Sequence, residues 1–486
     1  MGALLAPYTD AMSRTFHIRT YGCQMNEHDS ERIAALLAAD GLEPTDDVSR
    51  ADVVVLNTCC IRENADDRVY GHLGALKALR EQRPGMQIAV GGCLAQKDRD
   101  VVRERARHVD VVFGTHNLAR VPVLLREAAE NGPVVEVMDA PLAGGDPPEA
   151  RGLEAVRESS FSAWVTIQTG CNNSCAFCIV PQVRGREVSR PFDDLVAEVE
   201  GLVSRGVSEI TLLGQNVNSY GRDITRRHPL FAELLRAVGA IEQIKRVRFT
   251  SPHPKDLRPE TIAAMAETEA VCEHLHLPLQ AGSDRTLTAM RRGYNAERYL
   301  SRLGAARTAV DDLAVTTDLI VGFPGETDDD FERTLEVVAE AEYDSAYTFA
   351  FSPRPGTRAA LMKDHFVPEE IVAERFERLR VVVERSALAH HAARVGKVEE
   401  VLVEGPSKRD ALMLSARTRQ NKLVHFSPQI AGEGISDRVS AGSYAMVRIT
   451  SAAPHHLRGE LLATTERRSL AKGRRRYLRL LPVRAG

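Results

Sequence analysis

The sequence has no apolar run approaching the roughly 18 residues that mark a membrane-spanning helix, so no span is expected. Its first residues, Met1 to Arg14, carry neither a basic n-region nor a long apolar core, and they do not read as a secretory signal. Met12 offers an alternative start, which leaves the first residues as a leader. A cytoplasmic protein without a membrane partner is therefore expected. Cysteine is also scarce, with eight in 486 residues, at positions 23, 59, 60, 93, 171, 175, 178 and 272. In a reducing compartment these are thiols, which favours metal binding or catalysis over disulfide stapling. The remaining composition, 43% hydrophobic and 27% charged, is that of a folded globular protein. The length exceeds one ordinary core, so about two to four domains are expected.

The net charge of −4 hides an asymmetry, because from Arg394 onward eighteen Lys and Arg stand against eight Asp and Glu. A basic module on an acidic body suggests a polyanionic partner held by one end, with a merely solvated basic tail as the bland alternative.

The hydrophobic pattern is α/β. Thr15–Thr20, Ala51–Asn57 and Gln87–Gly91 read as strands. Between them lie a helix over Glu27–Ala39, stopped by Gly41, and a second carrying Val69, Leu73, Leu76 and Leu79. This βαβαβ order implies a parallel sheet over residues 14–130, after a leader of residues 1–13. A Gly-, Pro- and acid-rich linker is expected at 131–156. Within 157–394 six strand candidates recur: AWVTIQ, EITLLG, RVRFTS, VCEHLHLPL, AVTTDLIVG and SAYTFAFS. Each runs into a polar or Gly/Pro-rich loop, as in a full or partial (βα) barrel with its chemistry at the carboxyl ends of the strands. A long amphipathic helix over Val367–Val395 follows. Strands at Lys397–Val403, Ser415–Leu423, Val439–Thr450 and Gly459–Ala463 then predict a small β-barrel over 396–465, ahead of a basic tail at 466–486.

Cys171, Cys175 and Cys178 lie in CNNSCAFC, directly after the first barrel strand. A structural zinc site takes four protein ligands, and here no fourth cysteine or nearby histidine follows. Three thiolates on a 4Fe–4S cluster leave one iron open to a small molecule, the arrangement expected of radical S-adenosylmethionine enzymes. Cys23, Cys59 and Cys93 follow the first three strands, and a parallel sheet gathers such loops at one edge. A second three-cysteine cluster fits this placement, against the alternative of unrelated core thiols. Cys60 and Cys272 are read as structural, with an adventitious ligand role left open for Cys60. His274 and His276 are read as satisfied core histidines.

The motifs GCQMN, NTCCIRENA, GGCLAQ, QTGCNNSCAFCIVPQVRGREVSR and TTDLIVGFPGET closely resemble the methylthiotransferase family of the radical S-adenosylmethionine superfamily, and within it the MiaB group. The resemblance spans about residues 14 to 465. It implies an N-terminal methylthiotransferase domain, a radical S-adenosylmethionine core and a C-terminal TRAM domain. It also implies that Cys23, Cys59 and Cys93 hold an auxiliary 4Fe–4S cluster, and Cys171, Cys175 and Cys178 the cluster that binds S-adenosylmethionine. The implied reaction adds a methylthio group to C2 of an N6-prenylated adenosine at tRNA position 37, beside the anticodon. That carbon bears an unactivated C–H bond, so a radical route through reductive cleavage of S-adenosylmethionine is implied. The auxiliary cluster would supply the sulfur, and a second S-adenosylmethionine the methyl group. The partners implied are the tRNA anticodon stem-loop and an external electron donor such as a flavodoxin or ferredoxin, and the chain is expected to be a monomer.

No side chain beyond the cluster ligands is assigned a catalytic role. Phe177 matches a position that abuts the cofactor's adenine, and a packing role fits it equally. Gly214, Gln215 and Asn216 occupy the loop where the superfamily binds the cofactor's amino group. Gln280, Gly282 and Ser283 could reach its ribose or carboxylate, and Arg292 is either a carboxylate partner or a surface charge. Arg417, Arg419 and Lys422, with Phe426 nearby, are expected to contact RNA. Two rival readings remain at this level. The same chemistry could act on a ribosomal aspartate or a threonylcarbamoyl-adenosine, whose enzymes carry other residues after NTC. A non-catalytic iron–sulfur or RNA-binding protein would have the clusters but no use for six loop-rich strand ends.

Overall fold

The computed structural model describes residues 14–60, 63–140, 156–157, 159–430 and 439–465. The expected leader, residues 141–155 of the expected linker and the basic tail lie outside the described residues, as do Ile61 and Arg62 of NTCCIRENA. The chain divides into two compact units, one comprising residues up to His391 together with Arg419–Asn421, the other the remaining residues from Ala392.

The first unit begins with β1 (Thr15–Thr20), β2 (Glu43–Pro44), β3 (Val53–Thr58), β4 (Gln87–Gly92), β5 (Val111–Phe113) and β6 (Val134–Glu136), which form one sheet in the order β2-β1-β3-β4-β5-β6. Every pairing in it is parallel. Alternation within β3 shows why: Val54 and Leu56 enter one core with Val69 and Leu73 of the helix Glu63–Gln82. Val53 and Val55 enter a second core with Ile33 and Leu37 of the helix Gln24–Ala39. A strand buried on both faces reads as a continuous apolar run, as VVVL does before the buried polar Asn57 and Thr58. The strand β6 falls inside the stretch expected to be linker. Its three residues are only half-buried, too short a signal to stand out against the neighbouring Gly and Pro.

The six expected barrel strands are all present. They are β7 (Ser162–Thr166), β10 (Glu209–Leu213), β11 (Arg246–Phe249), β12 (His274–His276), β13 (Ala314–Val321) and β14 (Ser345–Ala350). Parallel pairing joins β11-β10-β7 and β12-β13-β14. A single parallel bridge, Val247 to Val271, connects the two halves. The result is an open (βα) barrel around one large core. A short antiparallel pair, β8 (Gln168–Thr169) and β9 (Val188–Ser189), closes the base of the CNNSCAFC loop. No described helix is long and apolar enough to cross a membrane.

The second unit is a closed barrel of β15 (Val398–Pro406), β16 (Leu414–Thr418), β17 (Leu423–Ile430), β18 (Tyr444–Ala453) and β19 (His456–Thr465), in the order β15-β16-β17-β19-β18. One strand was expected over Ser415–Leu423. The chain instead turns between Thr418 and Lys422, with Asn421 at φ 62°, and makes two strands. Phe426 lies wholly inside the barrel core, so it offers no stacking face.

Candidate metal and cofactor site

Loop geometry brings Cys171, Cys175 and Cys178 to one cavity at the carboxyl end of the barrel, which Phe177, Gln215, Gln280 and Arg292 also line. The turn before Cys171 needs Gly170, at φ 71°, because a Cβ there would stand 2.1 Å from the Arg186 carbonyl oxygen. Cys171 N then donates to Gly185 O at 3.2 Å, Ala176 N donates to Met290 O, and Ala359 N donates to Ala176 O. Three separate segments thereby hold the loop. Burial pushes the Cys178 thiol up to about 12 and the Cys171 thiol upward as well. Arg292, itself buried, donates from Nη1 to Cys175 Sγ at 3.3 Å. Burial opposes its charge, but Tyr294 and Cys175 hold it protonated.

The cavity also contains residues that the sequence reading passed over. His253 sits in its wall, its pKa driven down to about 2 by burial and by Arg292, Lys255 and Arg302, so it is neutral. Its only sequence signal is the SPHP loop after a strand. Asp318 and His276 face each other across the cavity edge, Nε2 to Oδ2 3.5 Å. His276 is therefore a cavity residue and not the core histidine expected, because β12 and β13 place it and Asp318 on the inner face of the barrel.

Other expected cofactor contacts are differently placed. Gly214 packs under Gln168 and Val217, where a Cβ would meet side-chain carbons at 3.0 and 3.1 Å. Asn216 donates to Asp256 Oδ2 at 2.8 Å and is buried away from the cavity lining. Gly282 lies against the backbone of Thr334, and its N–H donates to Thr334 Oγ1. Ser283 caps the helix Asp284–Ala289 and donates to Asp330 Oδ1 at 2.5 Å. These four residues shape the loops that carry Gln215 and Gln280. Gln280 is held at φ 73° by its backbone bond to Asp318 O.

Cys23, Cys59 and Cys93 leave the adjacent strands β1, β3 and β4. Asn26 Nδ2 donates to Thr58 O at 2.8 Å and Asn57 Nδ2 to Asn26 O at 2.8 Å, so the first two loops are mutually bonded. Thr58 Oγ1 donates to Gly91 O at 2.5 Å and ties in the third. Close approach requires glycine: a Cβ on Gly22 would stand 2.6 Å from Cys59 Cβ, and one on Gly92 2.4 Å from Thr58 O. Cys60 is buried with Cys93, Ile179 and Val183. Its thiol donates to Cys93, so Cys93 is the thiol of the pair that ionises first.

Arg184, from the segment after Cys178, enters this second site. Its Nη2 pairs with Asp29 Oδ2 at 2.8 Å and donates to Asn26 Oδ1 at 3.2 Å. Burial opposes its charge, while Asp29, Cys93 and Cys23 sustain it. Among the described residues, no three His, Cys, Asp or Glu side chains converge closely enough to hold one metal ion. Each trio has a glycine-lined approach and a guanidinium at hand, and three thiols at each site fit a cluster that keeps one iron open.

The expected RNA contacts divide. Arg417 remains half-exposed, with Nε 3.3 Å from Glu404 Oε1. Arg419, counted with the first unit, is committed to both carboxylate oxygens of Glu273 at 2.7 Å and to the carbonyls of Glu269 and Val271. Lys422 is buried. The turn after Thr418 carries both of these away from the open strand surface that a continuous strand would have given them.

Residues 15–114 match the family described as "Uncharacterized protein family UPF0004", residues 165–338 the "Radical SAM superfamily" and residues 392–462 the "TRAM domain". Proteins named tRNA-2-methylthio-N(6)-dimethylallyladenosine synthase are similar to most of the chain. That of Mycolicibacterium vanbaalenii is 50% identical, covering 96% of this chain and 91% of its own. That of Mycobacterium bovis is 51% identical, covering 96% and 90%. Among solved structures, the radical S-adenosylmethionine methyltransferase TsrM from Kitasatospora setae, solved with cobalamin and a [4Fe-4S] cluster, superposes with a TM-score of 0.52. At 14% identity, over 72% of this chain and 77% of that one, it shares the fold. With half its residues identical across nearly its whole length, and with the three family regions in order, the chain belongs to the tRNA-2-methylthio-N(6)-dimethylallyladenosine synthase family.

Proposed function

We propose that this protein is a methylthiotransferase that converts N6-dimethylallyladenosine at tRNA position 37 to its 2-methylthio derivative, using S-adenosylmethionine and two 4Fe–4S clusters. The observation that carries the reading is the pairing of two cysteine trios, one in the barrel cavity and one at the edge of the parallel sheet, in a chain half identical to enzymes of that name. In this reading Cys171, Cys175 and Cys178 hold one cluster, and Cys23, Cys59 and Cys93 the other. When bound, the first supplies the electron that cleaves S-adenosylmethionine to a carbon radical, and the second the sulfur.

The chain's own residues orient and insulate. Arg292 holds Cys175 in place through its Nη1 donation to Sγ. Phe177 gives the cavity an apolar wall, and Gln215 and Gln280 present amide groups to a polar cofactor. Neutral His253 can accept or donate a hydrogen bond without adding charge. Arg417 and the basic C-terminal segment supply positive charge for the anticodon stem-loop. An external donor such as a flavodoxin or ferredoxin, a cytoplasmic location and a monomeric state complete the proposal.

Iron and sulfide quantification tests it. Cys171→Ala and Cys59→Ala should each lose about half the wild-type iron, and tRNA from cells lacking the gene should lose the methylthio nucleoside. Protein holding only zinc, or unchanged tRNA nucleosides, would refute the reading.

A further inference from the structure

The last strand of the open barrel carries an aromatic row that the site so far leaves unused. In β14 (SAYTFA), Tyr347 is 59% exposed and Phe349 39%, while Ala346, on the other face, packs against the main core. Tyr347 is in register with Asp318, and Phe349 with Ile320. Registered residues on neighbouring parallel strands project to the same face. Asp318 lines the cavity of Cys171, Cys175 and Cys178, so Tyr347 and Phe349 belong to the cavity side of the strand. A direct contact agrees: the Tyr347 ring meets the ring of His276, another cavity residue, edge-on with centroids 6.1 Å apart. The row continues in Phe351, whose ring packs against Phe323 and Phe366 and anchors that end.

We propose that Tyr347 and Phe349 form the subsite for the N6-dimethylallyl adenine, with the purine lying on one ring and the branched hydrocarbon covering the other. This rests on the function proposed above. Two exposed aromatic rings at the rim of a polar cavity leave apolar surface in water, and exposed apolar surface beside a site marks ligand contact. The occupant must be flat and largely apolar, yet end near Asp318 and His276, which offer hydrogen bonds to a base edge. A prenylated purine meets each requirement. S-adenosylmethionine, with charged amino and carboxylate groups, matches instead the polar lining that Arg292 and Gln215 give the same cavity.

The test uses reconstituted holoenzyme and two fluorescent anticodon stem-loops, identical except that one carries N6-dimethylallyladenosine and the other adenosine. The ratio of their Kd values is compared in wild type, Tyr347→Ala, Phe349→Ala and Tyr347→Phe, with iron content and Tm confirming intact protein. The alanine change at the ring under the hydrocarbon should lower the preference for the prenylated RNA about tenfold, and the change at the ring under the purine should weaken both RNAs about tenfold, since loss of one base-stacking ring costs about one to three kcal/mol. Tyr347→Phe should retain the preference. Unchanged ratios in both alanine variants would overturn the subsite. A wild-type protein that binds neither RNA, or does not distinguish them, would instead strike at the substrate reading itself.

Discussion

Arg184 lies six residues beyond Cys178 in sequence, yet its guanidinium ends against Asp29 and Asn26, beside Cys93. Removing one member of a buried ion pair leaves the other charged and unsolvated, at a cost of about 3–5 kcal/mol. Arg184→Ala should therefore lower the unfolding free energy of the reconstituted protein by that amount, and Asp29→Leu added to Arg184→Met should recover much of it. A single change costing under about 1 kcal/mol would show that the pair carries no such weight. The VPQVRGREVSR motif made this residue visible as part of a resemblance. Nothing in its spacing revealed that it reaches the other cysteine trio, because the contact spans 155 positions. His28 is similarly placed. Its Nδ1 lies 2.8 Å from Thr166 Oγ1, and burial, aided by Arg32, lowers its pKa to about 4 although Asp29 and Glu198 pull the other way. The native state thus keeps it neutral where the unfolded chain, near 6.5, takes up a proton. Stability should fall as pH drops from 6.5 to 4, by about 1.4 kcal/mol per pH unit from this residue. His28→Gln should flatten that slope by the same amount in denaturation series.

At the scale of elements, Ser283 has a structural use that its loop position does not announce. Its position after a strand in QAGSD suggested cofactor contact, but its side chain accepts the Thr286 N–H as a helix cap and donates to Asp330. The Asp330 carboxylate in turn completes a capping box with Thr327 on the helix Asp328–Ala341. Ser283→Ala should cost about 1 kcal/mol in stability, with the KM for S-adenosylmethionine within about threefold of wild type. A much larger rise in KM at unchanged stability would restore the cofactor role. Strand existence was legible throughout the barrel, since six β-branched runs each end in polar loops and all six are present. The break between β16 and β17 was not, because SARTRQNKLVHF alternates well enough for one strand and only the closure of the barrel demands a turn there.

At the scale of the whole molecule, charge is segregated along the chain, and the basic C-terminal part suits a polyanion. Of the three cations expected on RNA, Arg417 alone retains an exposed side chain without burial or commitment to several carbonyls. Arg417→Ala should weaken stem-loop binding uniformly and reduce the slope of log Kd against log salt by about 0.7–0.9, the value for one phosphate contact. An unchanged slope over a salt series would remove Arg417 from the interface. Arg419→Ala should act through folding, because it leaves the half-buried Glu273 carboxylate without its guanidinium.

The sequence by itself determined the parts and their chemistry. Period-two and helical patterns set the parallel sheet, the open barrel and the small β-barrel, and the spacing of Cys171, Cys175 and Cys178 set one thiol trio, since these signals are local. Tertiary structure alone decided which distant groups meet. It placed Arg184 beside Cys93, turned His276 and Asp318 toward one cavity and set the ring of Tyr347 against His276, paired Arg419 with Glu273 and buried Lys422, because side-chain direction across paired strands depends on register, which no single segment encodes.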